Sequence, residues 1–163
     1  MSEPAIEIIR VDPRIPEALQ LIEALSEELA RRYDYADDGS GDFKPEAALV
    51  ARSAFVIGRA GSRAVACGAF RPLQGRVAEI KRMFVVPDCR GRGHSKAVLK
   101  ELERLAREDG YTTVRLETGN RQPEAIRLYE RSGYQRIPNF GAYVGSRRSV
   151  CFEKQLLDAP DRC

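Results

Sequence analysis

Patterning along the chain predicts a mixed α/β fold in one domain, with elements in the order strand, helix, hairpin, strand, helix, strand, helix, strand, strand. Three observations predict it. Apolar residues recur at helical spacing in two stretches, Ala18, Ile22, Leu25 and Leu29, then Val98, Leu99, Leu102, Leu105 and Ala106. Short runs rich in β-branched residues lie around them, bounded by glycine or proline. The 163 residues suit a single domain spanning 1–163, large enough to bury a core without disulfides or metal, and no repeat or linker divides them.

Ala5 to Val11 reads as the first strand and Pro16 to Tyr33 as an amphipathic helix. The segment DYADDGSGDFKPE, from Asp34 to Glu46, is acidic and carries Gly39, Gly41 and Pro45, so a loop or an interrupted helix is expected. Ala54 to Arg59 and Ala64 to Phe70 predict a hairpin joined through Ala60, Gly61, Ser62 and Arg63, with Pro72 and Gly75 ending it. Ala78 to Val86 is a further strand, stopped by Pro87 and Asp88. The second helix ends at Gly110, Thr112 to Glu117 forms a strand, and Pro123 to Gly133 brackets a short helix. Gln135 to Ile137 and Ser149 to Lys154 close the chain as strands.

Composition excludes several functions. No apolar run approaches the roughly 18 residues of a membrane span, and MSEPAIEIIR lacks the basic start and apolar middle of a secretory signal, so a cytoplasmic protein is expected. Cys67, Cys89, Cys151 and Cys163 are scattered, which favours free thiols over a disulfide framework. With His94 the single histidine, no His-based metal site is expected. A net charge of +3 argues against nucleic acid or membrane as partner. The bases are nevertheless concentrated between Lys81 and Arg107, around a glycine-rich turn.

That turn, DCRGRGHSKAVLK from Asp88 to Lys100, follows a strand and opens a helix. Unpaired N–H groups at a helix start, with the helix dipole behind them, form an anion cradle. Gly91 and Gly93 permit close backbone approach, and Arg90, Arg92 and Lys96 add charge. Phosphate is the natural guest. The nucleotide-triphosphate pattern G-x-x-x-x-G-K-[ST] is absent, and the third glycine of G-x-G-x-x-G is missing.

The segment EIKRMFVVPDCRGRGHS, from Glu79 to Ser95, instead resembles the pyrophosphate loop of the GNAT superfamily, the acyl-CoA-dependent N-acetyltransferases. Arg90 and Gly93 match the pattern [R/Q]-x-x-G-x-[G/A]. Ser95 departs from its last position, but is small and suited to capping the helix. Further on, PEAIRLYERSGYQRI is similar to the family's A-[IV]-x-L-Y-x-x-x-G-[FY] segment through Ala125, Ile126, Leu128, Tyr129, Gly133 and Tyr134, with Gln122 where relatives often carry Asn. The resemblance is strongest over Val77–Leu156, with an acyl-CoA-binding core at about 77–135.

The resemblance implies a GNAT-like mixed central sheet with helices on both faces and splayed central strands. Acetyl-CoA would be the co-substrate, its pantetheine lying along Phe84, Val85 and Val86. Its pyrophosphate would sit on Arg90, Gly91, Arg92, Gly93, His94 and Ser95, with Gln122 nearby. His94 reads as part of the turn rather than a catalyst. Acyl transfer to an amine requires deprotonation of the amine, stabilisation of an oxyanion and protonation of the leaving thiolate. Tyr129 stands where relatives place a general acid, and a backbone N–H near Val85 is the implied oxyanion donor. Tyr129 also falls on the packed face of its helix. Glu79 and Glu117, on the two strands that should splay, are the candidate bases, Glu79 narrowly ahead; each could equally be a structural carboxylate, for example paired with Arg82. Arg82, Phe43 and Tyr143 are candidate acceptor-binding residues, Arg82 through a carboxylate on the acceptor.

These residues support direct acetyl transfer to the primary amine of a small molecule in a ternary complex. A protein or peptide acceptor, or a non-catalytic acyl-CoA sensor domain, are the alternatives. Family habit adds a possible homodimer.

Overall fold

Strand and helix alternate largely as the patterning predicts over residues 5–33 and 44–156, the part of the chain that the computed structural model describes. The strands are β1 (Ile6–Arg10), β2 (Ala54–Ala60), β3 (Arg63–Gln74), β4 (Val77–Val85), β5 (Thr113–Gly119), β6 (Gln135–Ile137) and β7 (Ser149–Gln155). The helices are α1 (Pro16–Arg32), α2 (His94–Glu108) and α3 (Pro123–Arg131). The strands form one mixed sheet in the order β1-β2-β3-β4-β5-β7-β6, antiparallel throughout except for β4 and β5.

Period-two alternation sends neighbouring side chains to opposite faces, and each face receives helices. On one, Ala18, Leu21 and Leu25 of α1 pack on Phe55, Ile57, Cys67, Ala69 and Phe84. On the other, Val98, Leu99, Leu102 and Ala106 of α2 pack on Val56, Ala66, Phe70, Ile80 and Val114. Helix α3 joins this second face through Tyr129, whose ring centroid lies 5.9 Å from that of Phe152. Both α2 and α3 end in a left-handed glycine, Gly110 at φ 87° and Gly133 at φ 88°. In each, the residue after the glycine donates back into the last turn, Tyr111 to Ala106 and Tyr134 to Tyr129, both at 3.0 Å.

Two boundaries differ from the expectation. Pro72 does not end the hairpin: β3 continues to Gln74, because a register shift between Pro72 and Gln74 accommodates the ring. The β2–β3 turn needs only Gly61 and Ser62, since Ala60 and Arg63 already pair. Cys67, Cys89 and Cys151 are free, buried thiols, and burial pushes Cys67 up to about 12, far from a nucleophilic thiolate. Among the described residues no helix is long and apolar enough to cross a membrane, and no group of three or more His, Cys, Asp or Glu is placed to hold a metal.

The feature that matters for chemistry is where β4 and β5 part. They pair from Val77↔Thr113 to Ile80↔Leu116 and no further, although β4 runs on to Val85 and β5 to Gly119. A gap therefore opens in the middle of the sheet.

Candidate active site

A β-bulge in β4 accompanies the parting of the strands. Cys67 pairs with Phe84 and Ala69 with Lys81, so Arg82 and Met83 together oppose Gly68 alone. Arg82 takes φ 60°, one of two non-glycine residues with positive φ among those described. The Cys67 thiol donates to the Arg82 carbonyl at 3.2 Å and pins the bulged peptide. Beyond the bulge, the Val86 N–H donates to the Val65 carbonyl at 2.9 Å. Hydrogen-bonded and non-bonded pairs alternate in an antiparallel ladder, so at Val85 the backbone N–H and C=O point away from β3, into the gap. The Val85 carbonyl there accepts from Arg90 Nε at 2.9 Å.

On one side of the gap lies a cleft of about 210 Å³. Its walls are Phe84 and Val85 of β4, the turn residues Arg90, Gly91, Gly93, His94 and Ser95, and Gln122, Ala125, Leu128 and Tyr129 around α3. Gly91 and Gly93 adopt φ 80° and 82°, a left-handed conformation that a Cβ would strain. A Cβ on either would meet nothing within 4 Å, so the turn presents bare backbone to open space. Gly93 is the N-cap of α2 and makes no side-chain capping bond. Ser95, expected to cap the helix, lies inside its first turn instead, because the left-handed glycine already starts it. The first N–H groups of α2 therefore remain available to an anion at the cleft. This lining fits a pyrophosphate group and an extended thiol arm.

On the other side is a smaller cavity of about 100 Å³, lined by Lys81, Arg82, Glu117 and Thr118 together with Leu29 and Ile80. Five residues line both spaces: Leu25, Met83, Gln122, Ala125 and Tyr129. Tyr129 thus stands in the shared wall. Its phenol is buried, and burial first, then the charge of Glu117, raise its pKa above the ordinary 10.0. Glu117 accepts a hydrogen bond from Ser149 Oγ at 2.6 Å.

A profile described as the Acetyltransferase (GNAT) family matches residues 19–134, which include both cavities. The chain belongs to the GNAT family. An IAA acetyltransferase of Azospirillum brasilense is 33% identical over 154 residues, 94% of this chain and 99% of that one. A Klebsiella pneumoniae protein solved as a candidate acyl-CoA N-acyltransferase superposes with a TM-score of 0.78 at 31% identity, covering 93% of this chain and 98% of that one. The PaiA N-acetyltransferase of Thermoplasma acidophilum, solved in complex with coenzyme A, shares the fold at TM-score 0.70 and 18% identity, over 93% and 99% of the chains.

Within this GNAT acyltransferase the candidate residues divide. Phe84, Val85, Arg90, Gly91, Gly93, His94, Ser95 and Gln122 line the larger cleft. Val86 and Arg92 do not: Val86 returns its N–H to β3 and packs into the core, and Arg92 is exposed on the turn. Arg90 is a strut: its guanidinium bridges Glu28 of α1 at 2.8 Å and the Val85 carbonyl at 2.9 Å. Gln122 accepts the Gly119 N–H at 3.0 Å and so closes the end of β5.

The two carboxylates part company. Glu117 and Arg82 line the smaller cavity, whereas Glu79 is 2% exposed and lines neither space. It is bound to Arg71 at 2.9 Å and accepts from Tyr143 Oη at 2.8 Å, so its partner is Arg71 rather than Arg82. Tyr143 in turn accepts from Lys81 Nζ at 2.7 Å, docking the late loop onto β4. Phe43 lies outside the described residues.

Sequence reasoning missed Tyr33 and Gly119. Tyr33 Oη accepts the Arg121 N–H at 3.1 Å and approaches Gln122 Oε1 at 3.4 Å, tying the end of α1 to the β5–α3 connection. A Cβ on Gly119 would overlap the Tyr33 hydroxyl. No local signal marks this pair, because the contact spans more than 80 residues of sequence.

Proposed function

We propose that this GNAT member transfers an acetyl group from acetyl-CoA to the primary amine of a small molecule, both substrates bound together. The observation that carries the proposal is the wall shared by the two cavities, with Tyr129 in it and Glu117 on the smaller side. Acetyl-CoA supplies the acyl group as an activated thioester. The backbone at Gly91, Gly93 and the start of α2 would hold the pyrophosphate, and Phe84 and Val85 would flank the pantetheine.

In this reading the Val85 N–H, facing the gap, stabilises the developing oxyanion; a donor fixed by a sheet needs no reorganisation during the reaction. Tyr129 keeps its proton at neutral pH and donates it to the departing thiolate. Glu117 takes the proton from the incoming ammonium, directly or through water. Glu79 has the weaker claim to that role, because Arg71 and Tyr143 already engage its two oxygens.

A cavity of about 100 Å³ suits a small acceptor better than a polypeptide. The Azospirillum relative, named as an IAA acetyltransferase, points the same way. The test is release of free CoA thiol from acetyl-CoA across amino acids, polyamines, aminoglycosides, arylamines and short peptides. Turnover with one small-molecule class is expected. A response confined to peptides would transfer the acceptor to protein, and silence from a sample that binds acetyl-CoA would favour a sensor.

A further inference from the structure

We infer that Met83 limits the transferred group to a short acyl chain, and that a slot beside Gly68, plugged by its side chain, is where a longer chain would enter; the inference rests on the acyltransferase reading above. Met83 lines both the larger cleft and the smaller cavity, so it borders the place where they meet. In that reading the pantetheine runs back along β4 from the Gly91–Gly93 turn, and the thioester carbonyl stops at the Val85 N–H. An acyl chain that grows past this point meets Met83 next, two residues upstream. Met83 and Val85 pack on the core beneath α2, whereas Phe84 between them packs on the opposite one.

The second support lies on β3, where Gly68 faces the bulge. A Cβ on Gly68 would lie 2.9 Å from Met83 Sδ and 2.8 Å from both Val98 Cγ1 and Leu102 Cδ1. The missing side chain leaves a slot, and the thioether of Met83 occupies it. Val98 and Leu102 of α2 are fully buried, so the slot is apolar. Methionine suits such a plug, because its unbranched chain fits an irregular gap. A shorter residue at position 83 would join the slot to the cleft. Other residues of the shared wall are held in place: Tyr129 by the rings of Tyr134 and Phe152, and Gln122 by the Gly119 N–H. Met83 is thus the wall residue with a ready-made space behind it.

The experiment is calorimetric titration of the protein with CoA, acetyl-CoA and butyryl-CoA. The native protein should bind acetyl-CoA about tenfold more tightly than butyryl-CoA, as for forcing extra methylenes against a packed wall. In Met83→Ala the room vacated by Cγ, Sδ and Cε would take the longer chain. Butyryl-CoA should then gain about fifteenfold on acetyl-CoA, two buried methylenes at about fourfold each. Met83→Leu, of similar volume, should keep the native order. Equal binding of the two thioesters by the native protein, or a ratio unchanged in Met83→Ala, overturns the inference and sends the longer chain into the acceptor cavity instead. Tight binding of CoA in those cases leaves the acyltransferase reading standing, whereas no CoA binding by the native protein overturns both. Met83→Val, whose shape suits a strand, repeats the measurement if the alanine variant unfolds.

Discussion

Glu117 and Tyr129 open onto the same cavity between the parted strands, close enough for the carboxylate's charge to help hold the phenol protonated. In the proposed transfer that phenol is the acid, and both its burial and the neighbouring carboxylate favour its protonated form. Tyr129→Phe keeps the ring contacts with Tyr134 and Phe152 while removing only the proton donor. Turnover should fall by about a hundredfold or more. Affinity for CoA should hardly change. Thiol-release kinetics beside calorimetry with CoA check both, and full turnover at every pH would remove Tyr129 from the acid role.

Glu117→Gln and Glu79→Gln should fail differently. Glu117→Gln should lower kcat with little change in unfolding midpoint. Glu79→Gln leaves Arg71 beside a neutral amide, and because Arg71 is 21% exposed the loss should be only about 1–2 kcal/mol. Urea unfolding paired with steady-state kinetics separates the two. A catalytic collapse in Glu79→Gln without destabilisation would exchange their roles.

Gly93→Val should abolish CoA binding and destabilise the fold by about 1–2 kcal/mol, since a β-branched residue must hold φ 82°. Calorimetry with CoA reads the first effect and thermal unfolding the second. Normal CoA binding would place the pyrophosphate elsewhere.

Gly119→Ala tests the Tyr33 latch. A methyl group there overlaps the hydroxyl, so Tyr33 must leave its bond to the Arg121 N–H. Destabilisation of about 1–3 kcal/mol is expected, as for overpacking a close contact. Pairing Gly119→Ala with Tyr33→Phe should give less than the sum of the two, because both break one contact.

The alkaline limb follows from four phenols. Tyr33, Tyr111, Tyr129 and Tyr134 are all raised above 10.0, chiefly by burial. For a pKa raised on folding, the native state holds its proton more tightly than the unfolded chain. Stability is then complete below about pH 10 and declines as pH rises through the folded values. Absorbance titration should show these phenols ionising together with unfolding, later than free tyrosine. Early, independent ionisation of Tyr129 would contradict its burial.

Much of this was legible because it is local. The apolar stripes of α1 and α2, the left-handed glycines and the Ala125–Tyr134 segment each depend on residues within a turn or two of one another. Hydrophobic periodicity and backbone sterics therefore fix them before any long-range contact forms. The same reasoning reached the larger cleft, since a strand, two glycines and a helix start are contiguous in sequence.

What only the tertiary structure decided lies where distant segments meet. In sequence Glu79 stands narrowly ahead of Glu117, and it took Arg71 from β3 and Tyr143 from the late loop to engage Glu79 while Glu117 came to line the gap. Arg82 reads as an ordinary strand residue until the ladder with β3 slips by one at Gly68. A side chain's chemical type is written in the chain; whether its charge is spent on a neighbour or offered to a substrate depends on packing, which closes only when residues far apart arrive together.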